Sequence, residues 1–387
     1  MATILYVQHI RLPDEVRAEK ICRSLVRAGH RVTALTRWSP GLAEREEYQG
    51  YTVIRAGFER PSAYFTALPF NLLWRNAIRR IATEFRPDCI IVREMLIADG
   101  TAAVARKFDV PLLVDMAENY PAAMRGWKKY QGSFAGRLAT KTLRIPDAVE
   151  KMCVTSADGI IVVCQEQVDR LNKQYGLPSE QIVVVHNTPD YSDYAGMTNN
   201  FSGEIVFGHH GYCTAQRNLE VFLRGFALAS KAHDGIRVEI HGGGESLPEV
   251  KRVAQDEKIE DICVFSAGEY KLYDLPKLIE RSAIGIVPYI PDEFINNTIS
   301  NKVFDYMAAG RPLFASKATT LARIIEETKA GISWDCTTPE SVAEGIKHLL
   351  KSDLQTMSEN GKHWAREKYN WEADESVLCE FVERYCP

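Results

Sequence analysis

No two of the nine cysteines form a C-x-x-C pair, and their number is odd. That argues for buried thiols in a reducing cytoplasm, with neither a disulfide framework nor a zinc site. The nine histidines lack ligand spacing, and His209 and His210 are adjacent on a strand end, so they point to opposite faces. No apolar run reaches the roughly 20 residues that cross a bilayer. The opening MATILYVQHI has neither a basic region nor a small-residue cleavage site and reads as a first strand. No G-x-G-x-x-G is completed, and no recognised nucleic-acid module is present. Charge is small overall, −4 over 387 residues, but unevenly placed. Residues 1–190 hold 26 Lys+Arg against 21 Asp+Glu, and the remainder 21 against 30, so the two halves suit different partners.

What is present is a rhythm of strand and helix. ILYV (4–7) precedes a helical period through Ala18, Ile21, Cys22, Leu25 and Val26, stopped at Gly29. Further apolar runs are HRVTAL (30–35), DCIIVRE (88–94), PLLVDM (111–116), DGIIVV (158–163) and QIVVVHN (181–187). Such runs, spaced by helices, need a parallel sheet covered on both faces. After the polar stretch 186–203 the rhythm restarts, from EIVFGHHG (204–211) to AGISWD (330–335), and 339–386 reads as helices. The expectation is α/β: two doubly wound parallel-sheet domains, 1–190 and 204–370, with a linker at 191–203. The last segment, 371–387, is expected to pack back on the first domain. Sheets of this kind bind ligands beyond the carboxyl ends of their strands.

The strongest local signal is NNTISNKVFDYMAAGRPLFAS (296–316). TISN starts a helix with Thr298 or Ser300 as its cap, and free N–H groups at Ser300, Asn301 and Lys302 suit a diphosphate. The Lys302 side chain adds a point charge, and Asp305, one turn on, can accept both hydroxyls of a ribose. The other reading is a plain amphipathic helix with a surface lysine. In VFGHHGYCTAQRNLEVFLRGF (206–226), Gly211 at the strand end lets backbone approach a phosphate, and Arg217 opens the next helix, where it is either a ligand or simply solvated.

The 296–313 segment resembles the donor-binding signature of retaining GT-B glycosyltransferases of the glycosyltransferase-4 type, in the branch S-N-K-x-x-[ED]-Y-M-A-x-G-x-P. The resemblance implies two Rossmann-like domains facing a central cleft, an N-terminal acceptor-binding one and a C-terminal donor-binding one. It implies a metal-independent enzyme that moves a sugar from a UDP- or GDP-linked donor, with no further cofactor, to a hydroxyl acceptor. In that family two acids stand eight positions apart: Asp305 matches the ribose-binding one, and Asn297 takes the place of the one on the transferred sugar. Arg217 matches the basic residue on the diphosphate, and Tyr212 stands where a second is usual. HGGGE (241–245), with Gly243 and Gly244, resembles the family's G-x-G loop, and Tyr270 falls where it can line the base pocket. Acceptor contacts are expected on QHIRLPDE (8–15), with Arg11, and on DMAENYP (115–121). The latter resembles D-x-H-E-x-[YW] with Ala117 for His. Glu118 there either orients the acceptor hydroxyl, as its base, or caps a helix. Arg93 and Glu94 end another strand, as acceptor contacts or a local ion pair.

Residues 125–151 gather seven basic side chains against Asp147 and Glu150, with Trp127, Tyr130 and Phe134 interleaved. A surface like this rests on anionic lipid at about 1 kcal/mol per basic residue, or is a solvated helix. It suggests a peripheral enzyme on the inner face of the cell membrane, acting on a glycan or lipid-linked acceptor in surface polysaccharide or glycolipid synthesis. The rival readings are a non-catalytic nucleotide-sugar-binding subunit and an epimerase of the same architecture.

Overall fold

The computed structural model describes residues 1–386 apart from Asp14, 59–61, 66–67, 267, 269 and 271–273, and apart from the side chains of Ser62, Ala63 and Lys129. The chain divides into two compact units, Met1–Val185 with Glu375–Pro387, and His186–Asp374.

In the first unit the strands are β1 (Thr3–Val7), β2 (Arg31–Arg37), β3 (Arg45–Tyr48), β4 (Tyr51–Ala56), β5 (Cys89–Arg93), β6 (Leu112–Met116), β7 (Gly159–Val162) and β8 (Ile182–Val184). They lie in the order β3-β4-β2-β1-β5-β6-β7-β8. All neighbours are parallel except β3 and β4, which form a hairpin. That hairpin is absent from the sequence reading because Arg45–Tyr48 is half-exposed and polar, as an edge strand must be. Its turn is Gln49-Gly50, with φ of 48° and 87°, the twist that suits a two-residue hairpin. The central strands β5 and β6 are buried at every position, which is why they read as unbroken apolar runs. The chain builds outward from β1 to β4 and then returns to β5, so the switch in strand order falls between β1 and β5.

The second unit is wholly parallel: β9 (Ile205–His210), β10 (Ile236–His241), β11 (Cys263–Phe265), β12 (Ile284–Val287), β13 (Leu313–Ser316) and β14 (Gly331–Trp334). Its order, β11-β10-β9-β12-β13-β14, switches between β9 and β12. Between these strands the sheet is held close to a helix by glycine. A Cβ on Gly285 would sit 2.3 Å from the Tyr306 ring, whose hydroxyl donates to the Gly208 carbonyl at 2.6 Å. The helix Asn301–Ala308 is thereby pinned across the switch point. Each unit has its own apolar core, one around Leu5, Ile90, Val114 and Trp74, the other around Phe207, Phe222, Phe226 and Ile286.

Residues 186–203, polar and aperiodic, group with the second unit and are tied down by side chains rather than by a ladder. Asn199 Nδ2 donates to the carbonyls of Ala283 and Gly310, and Arg311 donates to that of Thr198. Tyr194 Oη donates to Asp305 Oδ1 at 3.3 Å, and Trp371 N–H donates to Pro189 O. Periodicity cannot reveal anchoring of this sort. The last helix, Trp371–Glu383, begins in the second unit and ends in the first, where Leu378, Phe381 and Val382 are buried. All nine cysteines are free thiols, and among the described residues no helix is long and apolar enough to cross a membrane.

Candidate active site

In the second unit, the carboxyl ends of β9 and β12 carry the predicted residues. Beyond β9 the chain turns at Gly211, φ 97°, where a Cβ would stand 2.8 Å from Lys302 Nζ. This glycine makes room for an amine. The glycine run after β10 serves the same loop from beneath. Cβ atoms on Gly242 and Gly244 would meet the Gly211 and Cys213 carbonyl oxygens at 2.3 Å, and Cys213 N–H donates to Gly243 O. Gly242 and Gly244 are thus required for two backbones to touch, and Gly243 supplies a carbonyl to the contact.

Lys302 is buried, and burial depresses its ammonium below the usual lysine value; Tyr289 opposes that shift and Arg217 adds to it. The Arg217 guanidinium lies over the Tyr289 ring, 4.3 Å from its centroid, and its Nε has no hydrogen-bond partner. It is therefore not a freely solvated helix-start arginine. Among the described residues neither Lys302 nor Arg217 makes an ion pair. Ser300 occupies the cap position of the Asn301–Ala308 helix, but its hydroxyl pairs with Tyr289 Oη at 3.1 Å instead of capping. The expected capping bond is missing because the phenol takes its place. The first-turn amides keep their orphan donors, as at any helix start. Asp305 is buried one turn in, with His210 Nε2 at 3.7 Å from Oδ2. Tyr270 Oη lies 3.2 Å from His210 Nδ1. Burial, then the Lys302 charge, keeps His210 neutral. Asn297 Nδ2 donates one hydrogen to Glu293 O, which ties its amide to a local turn; Tyr212 and Asn301 are exposed. Tyr194, Tyr289 and His210 escaped sequence reasoning, for no spacing rule links them to Asp305 or Arg217, which only the fold brings beside them.

At the carboxyl ends of β5 and β6 the first unit carries a buried charge network. Asp115 accepts from Arg17 Nε at 2.9 Å, from Arg93 Nη1 at 2.9 Å and from Tyr6 Oη at 3.3 Å. Burial would raise its carboxyl, but the two guanidinium groups outweigh that and hold it below the usual range. Arg93 also reaches Glu15 at 3.0 Å, so its guanidinium is committed within this network. Glu94 is buried, Oε2 has no partner, and its backbone sits at φ 67°, ψ 161°, a region glycine alone adopts freely. Burial keeps its carboxyl well above the usual value; Arg93 opposes, while Glu118, Asp115 and Glu15 reinforce. Glu118 is half-exposed, and the following helix is capped by Asn119, whose Oδ1 accepts from Ala122 N–H. The capping reading of Glu118 falls. Arg11 is exposed.

In the basic segment, Trp127 and Tyr130 stack at 6.2 Å and pack on the core, contrary to the expected aromatic face. Arg125 and Arg144 both pair with Asp147, while Phe134, Leu143 and Ile145 are exposed.

Two parallel α/β units, one with unpaired cations and a helix start at its strand switch, are the architecture of a GT-B glycosyltransferase. The family model for the glycosyl transferase 4-like domain matches residues 15–188, and that for glycosyl transferases group 1 matches 204–352. Glycogen synthase of Mycobacterium tuberculosis is 22% identical over 351 residues, 86% of this chain and 80% of its own length. Sucrose-phosphate synthase from Thermosynechococcus elongatus superposes with a TM-score of 0.78 at 16% identity, covering 99% of both chains. HepE from Anabaena, solved with UDP, gives 0.73 at 14%, covering 99% of this chain and 100% of its own. The chain belongs to the group 1 glycosyltransferases and is an enzyme that uses a nucleotide-sugar.

Proposed function

We propose that the chain is a retaining, metal-independent transferase whose diphosphate grip is Lys302, Arg217 and the amides at Ser300 to Lys302. The observation that carries this is the pair of buried or stacked cations, without carboxylate partners among the described residues, around the loop where Gly211 makes room for the Lys302 amine. Asp305 takes the ribose hydroxyls, Tyr270 lines the base, and Gly211, Gly243 and Gly244 bring backbone to the phosphates and sugar. The bond from the sugar's anomeric carbon to the diphosphate breaks, and the developing negative charge falls on groups already positioned for it. An acceptor hydroxyl attacks from the same face and passes its proton to the leaving phosphate, with Glu118 orienting it. Two fixed positive charges do the work a divalent ion would otherwise do, which supports the metal-free reading.

The acceptor is a glycan or lipid-linked glycan on the inner membrane face, in surface polysaccharide or glycolipid synthesis. Exposed Phe134, Leu143 and Ile145 beside Arg137, Lys141 and Lys151 support that location, since apolar tips among basic side chains suit an anionic bilayer. HepE was solved with UDP, which favours uridine over guanosine as the base. The test is a thermal-shift and calorimetric comparison of UDP and GDP, followed by transfer assays with EDTA present. Lys302→Ala and Arg217→Ala should each lower turnover at least 100-fold. Unchanged turnover in both would overturn the assignment, and calorimetric binding without transfer to any acceptor would favour a binding subunit.

A further inference from the structure

Tyr289 follows β12 and is 1% exposed, yet it lies among cations rather than among apolar side chains. Its ring carries the Arg217 guanidinium at 4.3 Å, and the Lys302 ammonium lies 6.0 Å from the same centroid. Its hydroxyl meets Ser300 Oγ at the start of the donor helix, and the next residue, Ile290, donates its N–H to Gln216 O beside Arg217. One side chain therefore touches all three parts of the diphosphate grip. We propose that Tyr289 is a positioning residue that holds Arg217 and Lys302 apart and charged for the donor's diphosphate while no donor is bound.

The physical problem it meets is specific. Two cations brought together in a buried place repel each other, and Lys302, the more buried, sheds its proton more easily for it. A carboxylate between them would restore the charge but would form a tight ion pair and compete with the diphosphate. The first unit shows that outcome, where Asp115 consumes Arg17 and Arg93. A phenol offers the face of its ring to one cation and its oxygen to the other without a full negative charge to displace. Burial would raise the Tyr289 phenol, but Arg217 and then Lys302 pull it below the usual tyrosine value. In return Tyr289 pushes the Lys302 ammonium upward against burial and against Arg217, and Asp305 helps. The other titratable neighbours do not contribute charge: burial keeps His209 and His210 neutral, and it raises the Cys213 thiol.

This inference rests on the diphosphate reading of the site, and the experiment separates the two. UDP and GDP affinities of the full chain are measured by calorimetry from pH 7 to pH 10, for the parent, Tyr289→Phe and Tyr289→Leu. Tyr289→Phe keeps the ring under Arg217 and loses only the oxygen. It should bind the nucleotide within about twofold of the parent at pH 7, and at least threefold more weakly at pH 9, because Lys302 then loses its proton at lower pH. Tyr289→Leu also loses the ring and should weaken binding at least tenfold at every pH. A residue that merely fills space would lower the melting temperature without moving the alkaline limb, so coincident limbs for parent and Tyr289→Phe overturn the proposal. If Tyr289→Leu fails to fold, Tyr289→Phe carries the test alone. Binding of neither nucleotide by the parent at any pH would sink the diphosphate reading itself.

Discussion

Two buried carboxyl groups in the first unit behave in opposite ways, and both differences can be measured. Asp115 is ionised because Arg17 and Arg93 more than offset its burial, so its contribution to stability is present above the unfolded carboxyl value and fades as pH falls through the folded one. Removing its charge leaves two buried guanidinium groups without their shared partner. Asp115→Asn should cost on the order of 3–5 kcal/mol by urea denaturation at neutral pH, and a loss below about 1 kcal/mol would contradict the network. Glu94 is the reverse case. Its folded value is raised, so the stability it supplies is present below the unfolded value and is lost as pH rises through the folded one. Glu94→Gln keeps the shape and removes the ionisation. The variant should gain melting temperature over the parent on going from pH 5 to pH 8, by a few degrees, since about 1 kcal/mol corresponds to about 2–4 °C in a domain of this size. A difference that stays flat across that range would show that Glu94 is not held protonated.

At the scale of elements, the parallel strands other than β4 were legible because each is short, continuous and apolar, and their ends fall within three residues of the expected positions. The β3–β4 hairpin was not, for its edge strand carries Arg45, Glu46 and Glu47, which read as loop. The glycine loop after β10 shows what lay between. Its glycines were legible as a run, but the reason for each came only with the partner backbone opposite. Gly242 is glycine at φ 134° because the Gly211 carbonyl leaves no space for a Cβ. Gly242→Ala should therefore part the loops after β9 and β10, costing about 1–3 kcal/mol and weakening UDP at least tenfold by calorimetry. Gly196→Ala, at an exposed turn with nothing within 4 Å of the new methyl, is the control and should change neither. Equal effects of the two substitutions would mean that the loop contact carries no weight. The cations of the site were legible as residues, Lys302 and Arg217, while the phenol between them was not. Tyr289 belongs to no motif, and only the fold of β12 beside β9 brings it there.

At the scale of the molecule, the second unit is one continuous stretch of chain and the first is completed by its far end. Residues Glu375–Pro387 return to the first unit, and Gly159 on β7 is glycine where Phe381 and Tyr385 press, a Cβ there standing 2.9 Å from each ring. Arg27 also pairs with Glu375 on that segment. Leu378, Phe381, Val382 and Cys386 are thus core of a unit whose other members were made about two hundred residues earlier. A chain ending at Asp374 leaves Leu378, Phe381 and Val382 out of that core, each worth about 1.5–3 kcal/mol when fully buried. Such a loss approaches the whole stability of an ordinary domain. The His186–Asp374 unit keeps its own core and the loops after β9 and β10 in that truncation. Calorimetric melting should then show the first unit's transition lowered by at least 10 °C or absent, while a second transition persists and still rises on adding UDP. A single undisturbed transition would mean that the returning helix contributes no stability. Loss of the UDP response along with it would place part of the donor site in the terminal segment.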